Sequence, residues 1–351
     1  MSQNPYEGLP PGRFWRTGVA DASPLGLKGL YEKKWAIKPS DKIAAAGSCF
    51  AQHISRFLRA EGYSVIDQER APMGLLAEQH QTYGFSMYSA RYGNIYTVRQ
   101  LLQLAQEAIS GQARTDIVWE KEGRFYDALR PNVEPHGHAT PEDVIAHRQI
   151  HIVKVARMLL DMNVFVFTLG LTEAWENTQS GLIYPTAPGT LAGEFDDTIH
   201  AFRNFTAHEV WKDMMEFISA VRAYRDRQFR LLLTVSPVPL TATASGRHIL
   251  QASIYSKSVL RGVAGQLGMA QNYIDYFPSY EIITNPASRG VFFAPNLRSV
   301  TPEGVQTVMK VFFDQHSLPK AKSQDSGAAQ PAASGEDEVQ CEEALLEAFA
   351  K

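Results

Sequence analysis

The sequence predicts an α/β fold, a mostly parallel sheet with helices on both faces. Three observations point there. The run Val164-Phe165-Val166-Phe167-Thr168-Leu169 is apolar at nearly every position, which suits a strand covered on both sides in the middle of a parallel sheet. Long amphipathic segments alternate with such runs along the chain. And the apolar run Lys42 to Ala46 ends in Gly47-Ser48 and passes directly into a segment with Phe50, Ile54, Phe57 and Leu58 at helical spacing, a strand, tight turn and helix.

The elements follow in order. Residues 1–34 form an irregular arm, broken by Pro10, Pro11, Gly12, Pro24, Gly26 and Gly29, and expected to lie on the surface held by Phe14, Trp15 and Trp35. The first helix runs from Cys49 to Ala60 and is closed by Gly62. Helices are predicted over Thr97–Ser110 and Pro141–Met162, the latter with Pro141 in its first turn and Glu142 and Asp143 at the positive end of its dipole. His208–Tyr224, Arg247–Leu267 and Pro302–Phe313 complete the helices. Phe229–Val235 and Tyr273–Tyr276 complete the strands. The α/β domain spans 35–318. Residues 319–351 read as a flexible linker, Lys320 to Gly335, then an acidic segment from Glu336 with Leu345, Leu346 and Phe349 at helical spacing. That segment is either a frayed tail or a helix for a protein partner.

Bulk properties narrow the function. The chain has 351 residues, 44% hydrophobic and 20% charged, enough to bury a large core. A net charge of -3 argues against a general electrostatic hold on nucleic acid or an anionic membrane. No stretch approaches the roughly 20 apolar residues of a membrane span, and Met1 to Trp15 has no signal-like apolar core. Only Cys49 and Cys341 are present, with no zinc-like Cys/His spacing, so neither a metal nor a disulfide is expected. A soluble cytoplasmic protein without a cofactor is the expectation. No phosphate-cradling Gly-rich loop with its Lys occurs.

Ligands of open α/β sheets bind beyond the carboxyl ends of the strands. Ser48 stands there, at the start of a helix whose dipole and free N–H groups favour an oxyanion. It is a candidate nucleophile; the alternative is a plain helix N-cap. Gly47-Ser48-Cys49-Phe50-Ala51 resembles the signature of the GSCFA family, a branch of the SGNH/GDSL-like hydrolase superfamily. Gly93-Asn94-Ile95-Tyr96-Thr97, Gly170-Leu171-Thr172-Glu173, Ser236-Pro237-Val238-Pro239, Ser256-Lys257-Ser258 and Tyr276-Phe277-Pro278-Ser279-Tyr280 are similar to that family as well, over roughly Trp35 to Phe313. The resemblance implies a three-layer α/β/α sandwich, flavodoxin-like in plan, and ester hydrolysis or O-acyl transfer on an acylated carbohydrate or other small molecule.

It also implies site residues. Ser48 matches the nucleophile. Gly93 matches the oxyanion glycine, a structural turn being the alternative, and Asn94 offers an amide donor. Thr172 replaces the Asn of Gly-x-Asn-Asp. Glu173 is either a functional carboxylate or a charge at a helix N-terminus. The late Asp-x-x-His pair, base and orienting partner, reads Asn296-x-x-Ser299 here, and Ser299 cannot act as a general base at neutral pH. A binding or scaffold protein that kept the fold is therefore the competing expectation. Among substitutes, His53 reads as a surface or packing residue, and His136 and His138 lie on a flexible loop. His147 and His151 read as a solvated helix face, and His200 and His208 have no clear role. Cys49 is expected to pack beneath the turn. Asp127 and Arg130 read as a structural ion pair or a substrate clamp.

Overall fold

Apolar runs flanked by turn residues set down the central strands, and threonines at helix starts set down the helices. The computed structural model describes residues 4–317 and 342–350. In chain order they form β1 (Ile43–Gly47), α1 (Phe50–Ala60), α2 (Val98–Ser110), β2 (Val118–Lys121), β3 (Arg124–Asp127), α3 (Pro141–Asp161) and β4 (Val164–Leu169). Then come β5 (Glu173–Asn177), β6 (Leu182–Tyr184), β7 (His200–Asn204), α4 (Ala207–Arg225), β8 (Arg230–Val235), α5 (Ile249–Ala270), β9 (Ile274–Tyr276), α6 (Ser279–Thr284) and α7 (Pro302–His316). Thr97, Thr140 and Thr206 close capping boxes with Gln100, Asp143 and Glu209, each satisfying two backbone donors at a helix start.

The main sheet has the order β1-β4-β8-β9, and every pairing is parallel. A short extended segment adds to the free edge of β1, with Val65 bridging Ile43 in parallel. Strand alternation sorts the core into two layers. Ala44, Ala46, Phe165, Phe167, Leu231 and Leu233 face α2 to α5. Ile43, Ala45, Val164, Val166 and Leu232 face α1, α6 and α7. The expected three-layer arrangement with a parallel central sheet is thus the observed one. Because α1 covers one face and α2 and α3 the other, the connections diverge between β1 and β4. This is the switch point where such sheets hold ligands.

The structure adds elements that the sequence pattern did not reveal. β2 and β3 form a hairpin whose turn residues Glu122 and Gly123 both have left-handed φ, 52° and 72°. β6-β5-β7 form a second, antiparallel sheet. These strands are short, and β5 and β7 carry Glu173, Glu176 and Arg203, so no long apolar run marks them.

The arm is held differently from expectation. Phe14 and Trp15 are exposed. Their segment forms short turns that bond within themselves, which leaves the two rings no core to enter. Tyr31 and Ile37 are the buried anchors, and Tyr31 OH sits 3.0 Å from Asp275 Oδ2 and 2.8 Å from His316 Nε2. Trp35 does pack on the core, under the Arg230 guanidinium. Glu342–Phe349 is a 3-10 helix with Leu345 and Phe349 exposed, while the linker Lys320–Gly335 and Cys341 lie outside the described residues.

Candidate active site at the end of the first strand

The turn from β1 to α1 is built on a position only glycine can fill. Gly47 has φ +141°, and a Cβ there would lie 2.4 Å from Thr168 O. Beyond it, Ser48 N donates to Thr168 O at 3.1 Å, and Ser48 O accepts from Ala51 N at 2.8 Å. The side chain is 2% exposed, and its Oγ has no hydrogen-bond partner among the described residues. An N-cap serine would accept from an N–H of the first turn. Here Cys49 precedes the helix, with no side-chain cap bond. Ser48 is therefore not an N-cap, and its hydroxyl stays unsatisfied at a cost of about 1–3 kcal/mol. Cys49 is buried in the turn, as expected of a packing residue.

Two other segments close on this turn. Ile95 N donates to Gly47 O at 2.9 Å, and Tyr96 O accepts from Gly170 N and Leu171 N at 3.2 and 2.9 Å. A Cβ on Gly170 would lie 3.0 Å from both Ser48 Cβ and Tyr96 O. Gly93 takes φ +68°, turning the chain into this loop. Asn94 is buried, and its Oδ1 is bound by Tyr88 OH and by Gln52 Nε2 at 3.2 Å. That fixes Nδ2 as the donor end of the amide. Tyr88 OH also lies 3.1 Å from Ser48 O. Thr172 is fully buried and donates through Oγ1 to Asn204 Oδ1 at 2.7 Å. Glu173 begins strand β5, so it is not a charge at a helix start: the chain after Leu169 continues extended to pair with β7. Burial pushes its carboxyl up, against a 2.8 Å hydrogen bond from Thr243 Oγ1.

Helix α5 supplies two residues absent from the sequence-based candidates. Lys257 Nζ donates to Gly170 O at 2.8 Å, and Ser256 Oγ accepts from Thr172 N at 2.9 Å. Both are buried. Their signal is present in the sequence: Ser256 and Lys257 interrupt the stripe of Ala252, Leu260, Ala264 and Leu267 that the helix buries.

Among the described residues no hydrogen bond gathers the late pair into this cluster. Asn296 Oδ1 accepts from Arg298 N and Ser299 N at 3.0 and 2.9 Å, and Asn296 Nδ2 donates to Ser299 Oγ at 3.0 Å. The two residues satisfy each other in a closed, solvent-facing turn ahead of α7. Among the described residues no histidine bonds Ser48 Oγ. His53 packs edge-on against Phe50, and burial, aided by Arg56, pushes it down to about 4.

Three segments far apart in sequence thus meet at the end of β1, each in the order of a family signature. The model of the GSCFA family matches residues 42–312. The chain belongs to the GSCFA family. No curated protein matches it. The match spans every GSCFA segment described above, from the Ser48 turn through the Gly170 loop to most of α7.

Asp127 and Arg130, the ion pair or clamp expected from the sequence, belong to a buried ion network and not to the Ser48 cluster. Arg148 binds Glu107 through Nε at 3.0 Å and Nη2 at 2.5 Å, and reaches Asp127 at 3.4 Å. Asp127 accepts from Arg130 Nε at 2.7 Å, and Glu69 accepts from His151 Nδ1 at 2.6 Å. This corrects the expectation of a solvated face for His151, while His147 is exposed as expected. Arg148 is buried because Glu107 of α2 and Asp127 of β3 meet it, and His151 because Glu69, from the segment that follows the Val65 bridge, meets it. Burial, with Arg130 nearby, pushes His151 down to about 4. His138 and His147 meet ring to ring at 4.5 Å, and His200 Nδ1 accepts from Asp196 N. Among the described residues no group of three or more His, Cys, Asp or Glu is placed to hold a metal, and no helix is long and apolar enough to cross a membrane.

Proposed function

We propose that this GSCFA protein is a serine-dependent acyl-ester enzyme, an ester hydrolase or O-acyltransferase acting on an acylated carbohydrate or small molecule. One observation carries the reading: Ser48 Oγ is buried without a partner among the described residues, at the switch point of the sheet and the start of α1. A hydroxyl kept unsatisfied there is free to bond a ligand. In the reaction Oγ would attack the acyl carbonyl, giving its proton to a base as the C–O bond forms. Gly93, Asn94 and Thr172 would surround the oxyanion, Thr172 by turning its proton from Asn204. Collapse would expel the substrate's alkoxide, which takes up a proton, and water or a second alcohol would then accept the acyl group. Glu173, with its raised carboxyl, stands one residue beyond Thr172 as a candidate proton carrier. The test is labelling by a fluorophosphonate probe and turnover of short acyl esters, with Ser48→Ala as control. Labelling at Ser48 that vanishes in the variant is expected. A wild-type protein that neither labels nor turns over would overturn the reading.

A second reading, a ligand-binding or scaffold protein without catalysis, is favoured by the closed Asn296–Ser299 turn. It expects no wild-type turnover, and esterase activity appearing in Asn296→Asp/Ser299→His. Wild-type turnover that depends on Ser48 would exclude it.

A further inference from the structure

We infer that a second cleft, one strand outward from Ser48, binds a hexose-sized ligand carrying a phosphate or carboxylate oxyanion. The segment Asp67–Arg70 leaves the edge segment at the carboxyl end of the sheet and faces α3 across an opening of about 500 Å³. That volume suits a sugar-sized molecule. None of the residues placed around Ser48 lines it.

The lining is unusual for a chain of net charge -3. It holds four cations, Arg70, Arg91, Arg130 and Lys154, against Asp67 and Glu69. Glu69 is turned inward: Oε2 accepts from Arg91 N and His151 Nδ1 at 2.6 Å each, and Oε1 faces Arg130 at 3.9 Å. Burial pushes the Asp67 carboxyl up, against the pull of Arg59 and Arg70. Arg130 is paired with Asp127 and Arg91 with Glu134, so the exposed Arg70 and Lys154 carry the positive field of the cleft, which a concave low-dielectric wall concentrates.

Arg91 is the built part of the site. It is 9% exposed, and its guanidinium lies over the Phe85 ring, 4.0 Å from the centroid. Nε donates to Tyr83 O, and Nη2 donates to Val133 O and Glu134 Oε1, at 2.9, 2.8 and 2.7 Å. Those bonds lock the fork and leave Nη1 as the end they do not engage. A pre-oriented arginine is the residue best suited to a planar or tetrahedral oxyanion. Arg70 and Lys154 stand exposed on opposite rims, and neither forms an ion pair with a described residue. Phe85 and Ile150 give the ligand an apolar wall.

The experiment titrates the full chain with inorganic phosphate, glucuronate and uncharged glucose at low ionic strength, read by calorimetry. Arg70→Ala/Lys154→Ala removes only exposed rim charges, and Lys310→Ala on α7, on the other face of the sheet, is the control. Saturable binding of phosphate, glucuronate or both is expected, with glucose silent. The rim double variant should weaken it about tenfold or more, loss of two cations acting on one oxyanion at short range, and the control should leave it unchanged. Phosphate binding alone assigns a phosphorylated ligand, glucuronate alone a carboxylate. Absence of saturable binding, or binding unaltered in the double variant, overturns the inference. Ser48→Ala should leave this binding intact, so its outcome is independent of the acyl-ester reading.

Discussion

Gly170 and Ser48 are in such close approach that a single methyl group on Gly170 would meet the Ser48 Cβ at 3.0 Å. The same methyl would meet Tyr96 O at 3.0 Å, and backbone cannot rotate away as a side chain can. Gly170→Ala should therefore destabilise the fold by about 1–3 kcal/mol, the usual cost of overpacking. Urea unfolding checks this. Wild-type stability in the variant would mean the two strand ends are looser than they stand here.

Ser48→Ala should behave in the opposite way. Its Oγ makes no hydrogen bond to a described residue, so its removal breaks none of these contacts and relieves a buried unsatisfied group. The variant should be as stable as wild type or more stable by up to about 1 kcal/mol, while losing whatever the hydroxyl does for a ligand. A loss of stability above about 1 kcal/mol would show that Oγ is bonded in solution.

The Glu107–Arg148 pair joins α2 to α3 in the interior. Glu107→Leu leaves Arg148 buried with only the longer Asp127 contact. A cost of about 3–5 kcal/mol is expected, as for other buried pairs broken at one end. Glu107→Leu/Arg148→Met removes both charges and should recover most of it. Thermal and urea unfolding of the single and double variants supply the comparison.

Acid should weaken this fold through its buried histidines. His53, His151 and His316 are each pushed from 6.5 down to about 4, chiefly by burial. The unfolded chain therefore binds more protons than the folded one between those values. Stability is full above 6.5 and is lost as pH falls toward about 4. Denaturant midpoints across that interval should decline, and the decline should be shallower in His316→Gln. A flat profile would place these rings in contact with water.

Much of the architecture is legible in the order of residues along the chain. β4 and β8 are apolar on both faces, and the capping threonines stand just before their helices. β5 and β7 are not legible, because Glu173, Glu176 and Arg203 look like loop residues until they pair across a sheet edge. His147-Arg148-Gln149-Ile150-His151 likewise looks solvated, since nothing local announces that Glu107, Asp127 and Glu69 come from three other segments to meet it.

For the candidate site the division is similar. Ser48 can be found from the chain alone, because a strand, a glycine turn and a helix start are local events governed by φ/ψ and periodicity. The replacement of the late pair by Asn296 and Ser299 is equally plain in the sequence. Whether Ser48 caps α1, whether Asn296 and Ser299 bond the site or each other, and that Lys257 reaches Gly170 O are matters of burial and partner choice. Only the tertiary structure decides them, because the competing partners come from distant segments. Lys257 and Gly170 are 87 positions apart, and Ser256 and Thr172 are 84, separations that no local window of sequence contains.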